Sequence, residues 1–179
     1  MYIYLRLIKV LYYALRAKTC DLTTQEELHF RVWPNDLDFN FHMNNSRFLL
    51  LMDLGRIDLF ARGGLIKLAR RHKWRPILGS CTIRFRRSLE PFERYTLRTA
   101  IKGWDEKWFF IQQTFIKADG NTAALALVRG CIVGPKGIVP PQEMLGLLGH
   151  TDPSPPLPIA FVEWCDADEK LWTDAARSS

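Results

Sequence analysis

The feature that most constrains this chain is a change of hydrophobic period. From Ser46 to Phe60 the sequence is apolar around most of a helical circumference, broken only by Arg47, Asp53, Arg56 and Asp58. A helix of that kind has to be covered on most sides. From Pro76 the period becomes two, and strands are expected at about Ile77–Leu89, Arg94–Trp104, Lys107–Lys117 and Thr122–Val133. Their links are short: Glu90-Pro91-Phe92, Asp105-Glu106 and Asp119-Gly120-Asn121, the last a hairpin signal. Short links make neighbouring strands antiparallel, so a four-stranded meander is expected after the helix. An earlier strand runs from Glu27 to Trp33, with Leu28, Phe30 and Val32 on one side, and Pro34-Asn35 stops it. One antiparallel sheet wrapped around one central buried helix satisfies both apolar surfaces, so the expected class is α+β. Gly55 inside the helix costs ~1 kcal/mol against alanine, which implies a close neighbour there. Gly63-Gly64 ends that helix, and Leu65 to His72 forms a short basic second one.

The two ends read differently. Residues 1–26 form an amphipathic helical segment, 27–134 the main domain, and 135–179 a proline-rich linker with a helical tail. The first eighteen residues are interrupted by Arg6 and Lys9, short of the ~20-residue apolar span of a membrane helix. They also lack the charge order and small-residue end of a signal peptide. As a helix they place Arg6, Lys9, Tyr13 and Arg16 on one stripe, with most other positions apolar. Such a segment either docks on the domain or a second subunit, or lies on a membrane surface. In the tail a short helix is expected near Glu143 to Leu148. Asp152 to Pro158 then holds four prolines, and Phe161 to Ala176 is a final helix with Trp164, Leu171 and Trp172 as anchors.

The net charge of +6 favours a polyanionic partner. No Lys/Arg block, zinc-finger spacing or glycine-rich phosphate loop accompanies it, so phosphates on a small ligand are expected rather than nucleic acid. The four cysteines, Cys20, Cys81, Cys131 and Cys165, are widely spaced, which suits reduced thiols in a cytoplasm. The four histidines lack metal-ligand spacing, so no metal is expected. Gly79-Ser80-Cys81 is not a nucleophile elbow, and Cys81 would need a basic neighbour to be one.

Chemistry concentrates in Asp36-Leu37-Asp38-Phe39-Asn40-Phe41-His42-Met43-Asn44-Asn45, just before the buried helix. A helix start offers unpaired N–H groups and partial positive charge, which would stabilise an oxyanion. A carboxylate beside it could deprotonate water or attack a carbonyl. Bland roles compete residue by residue: Asp36 holding a turn, Asn44 or Asn45 capping the helix, His42 orienting the loop, and Arg84, Arg86 and Arg87 lining a solvated sheet face.

The string D-L-D-x-N-x-H-x-N-N resembles the active-site motif of plant acyl-ACP thioesterases and the D-x-D loop of 4-hydroxybenzoyl-CoA-type thioesterases. Both have hotdog folds. From Val32 to roughly Gly134 the chain is similar to the thioesterase superfamily member six family and its bacterial relatives. The shared pieces are Asp36-Leu37-Asp38, His42-Met43-Asn44-Asn45, Arg86-Arg87-Ser88-Leu89, Glu90-Pro91-Phe92-Glu93 and Gly103-Trp104-Asp105. The resemblance implies a hotdog homodimer that hydrolyses acyl-CoA or acyl-ACP without a cofactor. By that resemblance Asp38 would be base or nucleophile, and Asn40 and His42 would orient; Asn44, Asn45, Arg84, Arg86 and Arg87 are the candidate substrate-binding residues, the arginines for coenzyme A phosphates. The plant enzymes carry a further Glu-Cys pair where this chain has Ser88 and Leu89, so only the Asp-centred mechanism carries over. Two rivals are a hotdog enoyl-CoA hydratase or dehydratase, whose D-x-N-P-x-H motif is one residue longer, and a non-catalytic acyl-lipid binder at a membrane.

Overall fold

A computed structural model describes residues 2–17, 21–22 and 24–177. Met1, Lys18 and Cys20 lie outside the described residues. In chain order the elements are α1 (Tyr2–Arg16), β1 (Glu26–Arg31), α2 (Asn45–Arg62), α3 (Leu65–His72), β2 (Arg75–Phe85), β3 (Arg94–Trp104), β4 (Phe109–Lys117), β5 (Thr122–Gly134), β6 (Gly137–Val139), α4 (Pro141–Leu147) and α5 (Ile159–Arg177). The expected wrapping forms, but the four-stranded meander does not: β2 pairs with β5 rather than with β3 across the Glu90-Pro91-Phe92 link, and β1 takes the place beside β3. The strands make one antiparallel sheet in the order β1-β3-β4-β5-β2, with β6 on the end of β5. The inner face packs on α2, whose Phe48, Leu51, Met52, Leu54 and Leu59 are buried.

Gly55 is where helix and sheet approach most closely. A Cβ there would lie 2.5 Å from Thr99 Oγ1 and 2.8 Å from Gln113 Nε2. Gln113, in β4, is fully buried, and its Nε2 donates to the Met52 carbonyl at 2.9 Å and to Thr99 Oγ1 at 3.0 Å. Its Oε1 accepts from Arg56 Nη1 at 2.7 Å. An apolar interface would let the helix slide, whereas this satisfied polar contact fixes its position against β3 and β4.

Several boundaries differ from expectation for local reasons. The strand expected to reach Leu89 stops at Phe85, because the Arg86 and Arg87 amides both turn to the Ala123 carbonyl. The strand expected from Lys107 starts at Phe109, because Asp105 Oδ1 accepts from the Lys107 and Trp108 amides. A bulge at Gly79 shifts the β2–β5 register, and an added Cβ there would meet the Trp108 ring at 2.3 Å.

The outer helices correct two expectations. In α5, Phe161 is the buried anchor and Trp164 packs beside it, but Leu171 and Trp172 are 71% and 76% exposed and anchor nothing. The helix is held instead by Arg129, which pairs with Asp168 at 2.6 Å and Glu169 at 3.1 Å. In α1 the expected polar stripe is split. Arg6 is buried with Val10 and Ala14 on the docked face, while Lys9, Tyr13 and Arg16 face outward. No helix among the described residues is long and apolar enough to cross a membrane.

The crowding at Gly55 predicts that Gly55→Ala lowers unfolding free energy by about 2 kcal/mol or more, because backbone-bonded polar groups must move. Gly146→Ala in α4, with nothing within 4 Å of the new Cβ, should leave stability unchanged or raise it by about 0.5 kcal/mol. Urea titrations of the two variants against wild type measure both.

Candidate active site

The loop between β1 and α2 is built by its own hydrogen bonds. Pro34–Asp36 makes one 3-10 turn, and Asp36 at its end is 1% exposed. The Asp36 carboxylate accepts from the Trp33 amide at 3.0 Å and from Arg6 Nη2 at 2.8 Å, while its carbonyl accepts from the Asn44 amide at 2.8 Å. Leu37 and Met43 then pair as an isolated bridge. Between them the Asp38 amide donates to the His42 carbonyl at 2.9 Å, and the Phe41 amide donates to the Asp38 carbonyl at 3.1 Å. Phe41 takes a left-handed conformation, φ 59°, which costs a non-glycine residue free energy and tightens the turn. Phe39 and Phe41 are left 89% and 73% exposed.

The expected site residues fall into two groups. Asp38, Asn40, His42, Asn44 and Asn45 share this turn and the helix entrance. Asp38 is half-buried, and its Oδ1 accepts from the Asn40 amide at 2.9 Å in an Asx turn. Asn40 is exposed, and His42 Nε2 lies 3.3 Å from Glu90 Oε1. Asn44 is the N-cap of α2, with Oδ1 accepting from Ser46 N at 2.9 Å and Ser46 Oγ at 2.6 Å. The Arg47 amide returns to the Asn44 carbonyl, which leaves the Asn45 amide as a first-turn donor with no partner among the described residues. The arginines stand apart. Strand alternation puts Arg84 with Ser80 and Thr82 on the outer face, opposite Cys81 and Ile83, which pack toward the core. Arg86 and Arg87 follow the end of β2 with exposed side chains, and none of the three makes an ion pair among the described residues.

Two features escaped the sequence reading. A cavity of about 380 Å³ opens between α2 and the β2, β4 and β5 strands, lined by Phe60, Leu78, Ile111 and Val128 with Asp53 and Arg56. Asp53 and Arg56 are ion-paired to each other. The available signal was their presence, three residues apart, among the few charges of a mostly apolar helix. The second feature is a groove of about 920 Å³ between α1 and β1, lined by Leu5, Lys9, Tyr13, Phe30 and Arg94 among others. Asp38 lines neither.

Cys81 lies beside the Asp53–Arg56 pair. Burial pushes its thiol pKa up, and the nearby Arg56 charge pulls it back by less. A thiol so placed is a poor nucleophile. Iodoacetamide labelling of Cys81 should run slower than that of a small free thiol at the same mildly alkaline pH. It should still be climbing where the free thiol has levelled off. A fast plateau near neutral pH would mark Cys81 as reactive instead.

Comparison with known proteins sets these features in context. Residues 32–164 match the thioesterase-like superfamily. Protein THEM6 of Danio rerio is 41% identical over 114 residues, covering 63% of this chain and 56% of that protein. Protein THEM6 of Xenopus laevis is 34% identical over 145 residues, covering 80% of this chain and 69% of that one. The alignment thus spans little more than half of the fish protein. Among solved structures, a gentisyl-coenzyme A thioesterase superposes with a TM-score of 0.60 at 20% identity, covering 68% of this chain and 99% of its own. At that identity the likeness shows the fold, and the fold is the hotdog fold.

Proposed function

This chain belongs to the thioesterase-like superfamily, and on that premise we propose that it hydrolyses acyl-CoA, or the corresponding acyl-carrier-protein ester, with no cofactor. The observation that carries the reading is one juxtaposition. A half-buried carboxylate, Asp38, sits in a hydrogen-bonded turn that leads within a few residues to the unpaired Asn45 amide of a buried helix. In the reaction Asp38 takes a proton from water as its oxygen attacks the thioester carbonyl. The Asn45 amide and the helix start stabilise the oxyanion. The C–S bond then breaks, and the proton passes to the leaving thiolate, giving a carboxylic acid and a thiol. Asn40 and His42 hold the loop and water, with Glu90 behind His42. Arg86 and Arg87 are the better candidates for coenzyme A phosphates, since Arg84 faces the other side of the sheet.

The site is completed, in this reading, by a second copy. Among the described residues the outer edge of β2 is unpaired, and Ile77, Leu78 and Phe85 are 47%, 52% and 41% exposed. A twofold antiparallel pairing of β2 with its mate would cover them and give Phe39 and Phe41 a neighbour. It would also bring a cavity lined by Asp53 toward the Asp38 loop. Asp53 is therefore the rival carboxylate, favoured by its place on the cavity wall.

Purified protein assayed against a panel of acyl-CoAs, with thiol release as the readout, separates these roles. Asp38→Asn should lower kcat by about 10²-fold or more while the melting temperature holds. Asp53→Asn should act mainly on KM. The reverse pattern transfers the chemistry to Asp53, and an unchanged Asp38→Asn removes Asp38 from the mechanism.

Membrane contact through α1 is a second part of the proposal. Its outward face carries Tyr4, Leu5, Ile8, Tyr12 and Leu15, all 48% exposed or more, with Lys9 and Arg16 on one flank and no acidic residue in the helix. That face fits an anionic bilayer surface, where the apolar stripe enters and the cations meet headgroups. Wild-type protein should co-sediment with phosphatidylglycerol-containing vesicles more than with pure phosphatidylcholine, and Leu5→Glu/Ile8→Glu should abolish it. Equal recovery of wild type in the supernatant with both vesicle types refutes the contact.

A further inference from the structure

One buried ion pair joins the N-terminal helix to the active-site loop. Arg6 Nη2 donates to Asp36 Oδ2 and to the Arg31 carbonyl, both at 2.8 Å, and its guanidinium lies 5.5 Å over the Phe30 ring. The side chains of Arg6 and Asp36 are 9% and 2% exposed. We propose that Arg6 is a positioning residue of the catalytic loop, acting through Asp36, so that α1 is part of the active-site machinery. The kinetic part of this rests on the thioesterase reading; the structural part does not.

The bonds made by Asp36 support the assignment. Its amide donates to the Trp33 carbonyl, its carboxylate accepts from the Trp33 amide and Arg6, and its carbonyl accepts from the Asn44 amide. Asn44 caps α2, and Asp38 lies two residues beyond Asp36. A shift of Asp36 therefore moves both the proposed base and the proposed oxyanion donor. Displacements near 1 Å in such a constellation cost about 10²-fold in rate. Fastening α1 needs no charge, since Val10 and Ala14 are buried on the same face. A charge buried there is costly unless its geometry is satisfied on every side, and the planar fork of arginine can serve two acceptors where lysine holds them less rigidly.

Full-length Arg6→Met and Arg6→Lys proteins test the proposal by two readouts, amide hydrogen exchange and acyl-CoA hydrolysis. In Arg6→Met the Asn44 amide should exchange about tenfold faster while the mid-strand Ile111 amide keeps its rate, as expected for a local opening. The same variant should lose about tenfold or more in kcat with KM within about twofold. Arg6→Lys should fall between it and wild type in both. Unchanged Asn44 exchange in folded Arg6→Met overturns the proposal. So does equal acceleration at Asn44 and Ile111, which marks a role in global stability alone. If Arg6→Met does not fold, Arg6→Lys decides: selective acceleration at Asn44 supports positioning, and wild-type exchange overturns it. Absence of turnover in wild type sinks the thioesterase reading, and the exchange data still judge Arg6.

Discussion

The architecture depends on covering a helix that has almost no face fit for water. Only a sheet that curls around α2 can do this, and the contact at Gly55 sets how deep the helix sinks. Gln113 turns that depth into a fixed position, because its amide is shared between the α2 backbone, Thr99 and Arg56. Farther along the same helix Asp58 is fully buried. Burial pushes its carboxyl pKa up against the pull of Arg62, which binds both its oxygens at 3.0 and 2.9 Å. With the helix so placed, its N-terminus has one position, and the loop before it is built to that position.

The outer helices are attached on different terms. Each combines a modest apolar contact with one buried or half-buried arginine: Arg6 for α1 and Arg129 for α5. Directional pairs of this sort fix orientation better than they add stability, since desolvation offsets much of the attraction. For α1 the result is a helix that hides a charge and shows its apolar stripe. That inversion links the surface proposed for a bilayer to the loop proposed for chemistry, through Arg6 and Asp36.

Much of the fold was legible in the residues. Period-two runs with short links gave the antiparallel β3-β4-β5 hairpins, and the interior glycine at 55 announced a close approach, but the short link after β2 wrongly suggested that β2 and β3 are neighbours. The turn at Asp36 and the helix cap at Asn44 were legible as well, because turns and caps are satisfied by neighbours in sequence. What escaped were outcomes of competition between segments. Asp105 won the Lys107 and Trp108 amides and shortened a strand, and the Ala123 carbonyl won those of Arg86 and Arg87. Leu171 and Trp172 look like anchors in composition, yet α5 is fastened earlier by Asp168 and Glu169.

The sequence by itself determined the main elements, the antiparallel β3-β4-β5 hairpins and the cluster of polar groups ahead of α2, because periodicity and local hydrogen bonding act over a few residues. Tertiary structure alone decided that β2 would pair with β5 rather than β3, that Arg6 would be buried thirty residues from its partner Asp36, and that Asp53 and Arg56 would border an apolar cavity. Those outcomes depend on which surfaces meet when the sheet closes on the helix, and no local pattern encodes the identity of a distant neighbour.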